Sequence, residues 1–128
     1  MTWGLSFILS LTILLMQPPI MDGKASFYSH PYIGREMRGG GIYTGQDATC
    51  AVSSDLWEQL RGTRLLVCTL GGYDCAQKCI VVTVTDTGSF GPDHIDLSES
   101  AFRALRPRGT KCDNDGVLRV RVWMMEGG

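Results

Sequence analysis

Apolar and polar positions along this chain alternate in short runs and nowhere settle into a long helical period. The clearest run covers residues 117–123 (VLRVRVW). Leu118, Val120 and Val122 point one way, while Val117, Arg119, Arg121 and Trp123 point the other, as in a strand with one buried face. Residues 80–85 (IVVTVT) are the richest β-branched stretch and predict the strongest strand. Paired with a strand over 65–70 through a turn region at 71–74, they form a hairpin. Residues 23–29 (GKASFYS), 48–52 and 95–97 supply three shorter extended pieces.

Two short helices are predicted. One covers 55–60 behind Ser53 or Ser54, with Leu56 and Leu60 on one face. The other covers 99–105, capped by Ser98, favoured by Glu99 at its positive end and stopped by Pro107 and Gly109. Residues 30–45, with Gly39-Gly40-Gly41 at their centre, read as a mobile loop, and 86–93 as a turn. Several short strands, two small helices and no repeat predict an all-β chain folded as a small six-stranded barrel.

The first 20 residues are set apart from that barrel. Residues 5–16 (LSFILSLTILLM) are too short for a comfortable membrane span and suit the apolar region of a signal peptide. No Lys or Arg precedes the run and no A-x-A-like site follows it, so an uncleaved anchor, with membrane association, is the other option. Both imply a secreted or extracytoplasmic protein, divided into a signal or anchor over 1–20 and one domain over 21–128. The 16 glycines agree with a turn-rich barrel, and a net charge of -1 without a basic block argues against nucleic acid as a partner.

Cysteines sharpen the picture. Cys50, Cys68, Cys75, Cys79 and Cys112 suit an oxidising compartment, although an odd number leaves at least one thiol over. Folding the hairpin back brings Cys68 beside Cys79 and predicts a cross-strand bridge; the other three stay unassigned. Cys68 with Cys75-x3-Cys79 lacks a second close pair and a nearby histidine, so no metal and no cofactor are expected.

Candidate chemistry centres on Asp86 and Asp96. Counting by two places Asp86 on the face of Val82 and Val84, so it would emerge at the barrel rim partly desolvated and act as a general acid. The plainer alternative is a turn in which Asp86 accepts from the amides of Thr87 and Gly88. Asp96 faces away from Ile95 and Leu97, either into a groove or towards the amides of the following helix. His94 could relay a proton or simply lie at the surface. Tyr28, Tyr32, Tyr43, Tyr73 and Phe90 gather in loop regions, where aromatic faces could stack on sugar rings.

Four segments in order, G-K-A-S-F-Y (23–28), L-R-G-T-R-L-L-V (60–67), V-V-T-V-T-D-T-G-S-F (81–90) and H-I-D-L-S-x-x-A-F (94–102), resemble the RlpA-like (rare lipoprotein A-like) domain and its expansin and barwin relatives. The resemblance implies a double-psi β-barrel that acts on cell-wall polysaccharide. RlpA-like enzymes are lytic transglycosylases, in which an acid protonates the glycosidic oxygen and the sugar's own 6-hydroxyl closes on C1. It implies Asp86 and Asp96 as catalytic residues; beside them Tyr28, Tyr43, Phe90 and His94 are the expected substrate-binding residues, and a monomer is expected. The sequence departs from the family at Gly41, where a glutamate would stand, near Val52, where a histidine would, and at Thr87, where an arginine would. A non-catalytic, expansin-like wall-binding or wall-loosening protein is the alternative. Asp86-Thr87-Gly88-Ser89 also spells an aspartic protease motif, which would need a dimer and a later apolar-apolar-Gly segment that the chain lacks.

Overall fold

The computed structural model describes residues 17–28, 30–71, 76–106 and 116–125. The N-terminal apolar run, Tyr73, Cys75, Pro107, Gly109 and Cys112 lie outside the described residues, as does most of the turn expected at 71–74.

Six strands form the wall: β1 (Met21–Phe27), β2 (Thr49–Ser53), β3 (Arg64–Thr69), β4 (Cys79–Gly88), β5 (His94–Leu97) and β6 (Leu118–Met124). They close in the order β1-β5-β2-β4-β3-β6, with β6 returning to β1. The β1–β5 and β2–β4 pairs are parallel and the other four antiparallel. The chain is thus the six-stranded double-psi β-barrel with two short helices that its patterning and resemblance predict. Closure leaves no unpaired edge along the wall.

Alternation decides what fills the barrel. In β6, Leu118, Val120 and Val122 are buried while Arg119 and Arg121 face out, as predicted. Val82 and Val84 of β4, Leu65 and Val67 of β3, Cys50 and Val52 of β2, and Ile95 and Leu97 of β5 complete the interior. Each such aliphatic side chain, fully removed from water, stabilises the fold by about 1.5–3 kcal/mol.

The helices plug the barrel. In α1 (Ser54–Leu60), Trp57 and Leu60 turn inward while Leu56 packs only at the edge, so the tryptophan takes the place expected of Leu56. Its N-cap residue, Ser53, makes no side-chain cap bond. In α2 (Glu99–Leu105), the Ser98 hydroxyl accepts from the amides of Ala101 (3.4 Å) and Thr49 (3.3 Å), which ties the helix start to β2. Arg103 pairs with Glu99 one turn away.

One expectation needs correction. Residues 86–93 are not all turn, because β4 runs through Asp86 to Gly88 before the chain reverses. Residues 30–45 are the expected loop, tied down by backbone bonds. A short 3-10 turn (His30–Tyr32) leads into backbone bonds from Gly34 to Tyr43, Tyr43 to Arg35 and Met37 to Gly41, and Glu36 bridges Ile42. Gly41 sits there at φ +85, where a side chain is strained.

Cys68 and Cys79 stand opposite each other in the β3–β4 ladder and are joined by a disulfide, as the hairpin predicts. Cys50 is a buried free thiol in the interior, and its burial pushes its pKa up. Among the described residues no group of three His, Cys, Asp or Glu could hold a metal, and no helix is long and apolar enough to cross a membrane.

Candidate functional site

The site begins with a break in register. Cys50 of β2 stands opposite Val84 of β4, but the next residue, Ala51, stands opposite Asp86. Thr85 is therefore an extra residue, a bulge that reverses the alternation of the strand beyond it. Counting by two put Asp86 on the core face with Val82 and Val84. The bulge turns it to the outer face instead, beside Ala51.

Ala51 in turn pairs with Asp96 of β5, and Asp96 with Ser26 of β1. Four neighbouring strands thus present one outward row, Asp86–Ala51–Asp96–Ser26. Residues 37–39 roof the bulge: the Gly39 amide donates to the Thr85 carbonyl (2.9 Å), and the Thr85 hydroxyl approaches Met37 Sδ (3.2 Å). A Cβ on Gly39 would come within 2.9 Å of that carbonyl, so the close approach needs glycine.

Between this roof and the row lies an open cleft of about 390 Å³, lined among others by Tyr28, Tyr32, Ala51, Asp86, Phe90 and Asp96. The two carboxylates sit at either side of a floor made by one methyl group. Their backbones are two strand spacings apart, about 9–10 Å.

Asp86 Oδ1 accepts from the amides of Thr87 (2.9 Å) and Arg38 (3.2 Å). The turn alternative is thus half realised, with Arg38 in the roof in place of Gly88. Asp96 is held differently. It makes no helix cap, since Ser98 does that work, and its Oδ1 accepts from the Ser26 hydroxyl at 2.9 Å. Burial raises the Asp96 pKa above the usual aspartate range. The Ser26 bond and His94 pull against that rise, while the Asp86 charge adds to it. His94 Nε2 lies 2.7 Å from Ser26 Oγ, and its ring rests against Phe90 with centroids 4.7 Å apart.

The aromatic residues divide. Tyr43 is buried in the cleft wall, and its hydroxyl accepts from the Glu99 amide at 3.1 Å, so it braces α2. Tyr28 packs against it with ring centroids 4.7 Å apart and is only 7% exposed. Its hydroxyl is buried without a hydrogen-bond partner among the described residues, and its pKa is pushed up by burial first and then by the Asp86 and Asp96 charges. Tyr32 is 49% exposed at the cleft edge, beside Tyr28 and with the Arg35 guanidinium over one part of its ring. Val52 is wholly buried in the interior, so no side chain at that position reaches the cleft. Thr87 donates its hydroxyl to the Val52 carbonyl at 2.9 Å. Sequence reasoning missed Ser26 and Ala51, which become site residues only through pairing with β5. A small residue between Cys50 and Val52 was the single available signal for the latter.

No protein-family model matches the sequence, and a search of curated proteins found no match. Solved structures do match. A Streptomyces papain inhibitor is 26% identical with a TM-score of 0.59, over 84% of this chain and 97% of its own. An expansin from Clavibacter michiganensis is 26% identical with a TM-score of 0.61, again over 84% of this chain. A point mutant of that expansin in complex with cellohexaose gives 25% and 0.60. The chain spans about half the length (51%) of the expansin chains. It is a double-psi β-barrel related in fold to expansin and to the papain inhibitor, in keeping with its RlpA-like motifs.

Proposed function

We propose that this protein is exported and binds an extended wall polysaccharide in the cleft over Ala51. The observation that carries the reading is the row Asp86–Ala51–Asp96: two carboxylates flank a floor flat enough for a sugar ring, with the exposed Tyr32 ring at the edge. Carboxylates accept strongly from sugar hydroxyls, and a ring can stack on Tyr32 while the buried Tyr28 and Tyr43 hold the wall rigid. The Cys68–Cys79 disulfide supports an oxidising compartment, and the expansin complex with cellohexaose supports a glycan as ligand.

The finer reading is glycan cleavage of the lytic transglycosylase type on peptidoglycan. Here Asp96 is the acid, a carboxyl facing the cleft whose burial favours the protonated form. Asp86, anchored by two amides, would accept a hydrogen bond from the sugar. Co-sedimentation with insoluble cellulose and with purified sacculi tests the binding, and analysis of released anhydromuropeptides tests the cleavage. Wild type is expected in the pellet and Ala51→Leu, which fills the floor, in the supernatant. Equal recovery of both in the supernatant overturns the reading.

One observation favours a second reading, inhibition of a cysteine protease: the papain inhibitor is matched over nearly its whole length, whereas the expansin is matched over half. A papain inhibition assay on the same protein separates the two.

A further inference from the structure

We propose that His94 and Ser26 form a proton relay that reloads Asp96 from solvent while a ligand covers the cleft. The two hydrogen bonds that define it run in line: His94 Nε2 to Ser26 Oγ at 2.7 Å, and Ser26 Oγ to Asp96 Oδ1 at 2.9 Å. A serine hydroxyl has one proton to donate. With that proton directed at Asp96, Ser26 must accept from His94, so the imidazole carries hydrogen on Nε2. When the ring is also protonated on Nδ1, Nε2 passes its proton to Ser26 Oγ as Ser26 passes its own to Asp96 Oδ1. The imidazolium and carboxylate become a neutral imidazole, protonated on Nδ1, and a carboxylic acid. Ser26 ends unchanged, no heavy atom has to move and no further reactant is needed.

The surroundings give the relay direction. Asp96 faces the cleft floor, whereas His94 is half-exposed at the start of β5 and is not among the residues lining the cleft. It is therefore exposed to solvent without lining the cleft, its ring packed against Phe90. The other titratable groups around the pair are Lys24, in register with His94 on β1, Asp93 next to His94 in the chain, Asp86 across β2, Cys50 on the inner side of β2, Tyr28 beyond the end of β1, and Tyr43 beside it. None of these hydrogen-bonds Asp96 among the described residues, and its hydrogen-bond contact is Ser26. His94 and Ser26 are thus positioning residues that act through Asp96. That the proton then goes to a glycan rests on the function proposed above; the relay itself does not.

The test is a pH titration of the whole, ligand-free protein by NMR, following Asp96 13Cγ and the His94 ring nitrogens. In wild type each group should show the other's inflection. Ser26→Ala should cut both cross-inflections to the part carried by the two charges through space, and Ser26→Thr should restore them. His94→Gln still donates to Ser26 but cannot ionise, so Asp96 should lose the inflection that belongs to His94. Cross-inflections that keep their full size in Ser26→Ala, or that are missing from wild type, overturn the relay. Failure to sediment with wall polysaccharide would overturn the proposed function and leave this result standing.

Discussion

Removing the Cys68–Cys79 bridge should lower stability steeply while sparing the cleft. The bridge joins residues 11 apart that already face each other in the β3–β4 ladder, so in the folded chain it adds little order. Its effect falls on the unfolded chain, where it closes a loop. For a separation of 11 the loop-entropy treatment gives about 2.8 kcal/mol at 25 °C. In a barrel of this size each kcal/mol moves the melting temperature by about 4–8 °C, so Cys68→Ala/Cys79→Ala should melt about 10–20 °C below wild type. Scanning calorimetry on both proteins reads this directly. Asp86 lies on the same strand as Cys79 but at its far end, so binding measured well below the lower melting temperature should be unchanged. A difference under about 3 °C would refute the reasoning, since it would mean that the ladder alone organises these strands before folding. A loss of binding at low temperature would show instead that the bridge shapes the cleft.

Three further outcomes follow from single side chains. Burial makes native Asp96 hold its proton to higher pH than the unfolded chain does, so its contribution to stability falls as pH rises from the ordinary aspartate value of 3.8 through its raised native value. Asp96→Asn should therefore be more stable than wild type at pH 7 and about equal at pH 3; the same difference at both would count against a raised carboxyl. Tyr28→Phe deletes a buried hydroxyl with no partner among the described residues and should stabilise the protein by about 1–3 kcal/mol in urea titration, whereas destabilisation would reveal a partner for that group. Gly23→Ala places a methyl 1.9 Å from the Asp93 carbonyl, which itself accepts from the Lys24 amide, so a loss of about 1–3 kcal/mol is expected; an unchanged urea midpoint would show that this turn yields freely.

Where structure follows local alternation, the chain was legible. Leu118, Val120 and Val122 announce β6, and the β-branched run before Asp86 announces β4 together with the Cys68–Cys79 register. What stayed hidden depends on pairing between distant segments. Ser26 looks like an ordinary strand serine until β1 lies parallel to β5 and sets it against Asp96. Tyr43 looks like a loop aromatic until α2 arrives to use its hydroxyl. Periodicity cannot report such meetings, because they are made by the barrel and not by the segment.

Asp86 is the instructive case, because the sequence carried a sign of what periodicity missed. Continuing the count through Val82 and Val84 would bury a carboxylate in an apolar interior, which is severely unfavourable without a charged partner. That conflict is physical evidence that the alternation must break before residue 86. The break costs ladder bonds, so it needs outside donors, and a glycine-rich segment that can approach a backbone closely is the element that supplies them. Gly39 and Arg38 do so with their amides, one to the Thr85 carbonyl and one to Asp86 itself. A charge in the core phase of a strand and a glycine cluster far from it are therefore two halves of one statement. The bulge that satisfies both also turns Asp86 outward into the row with Ala51 and Asp96, so the step that spares the core a buried charge is the step that makes the cleft.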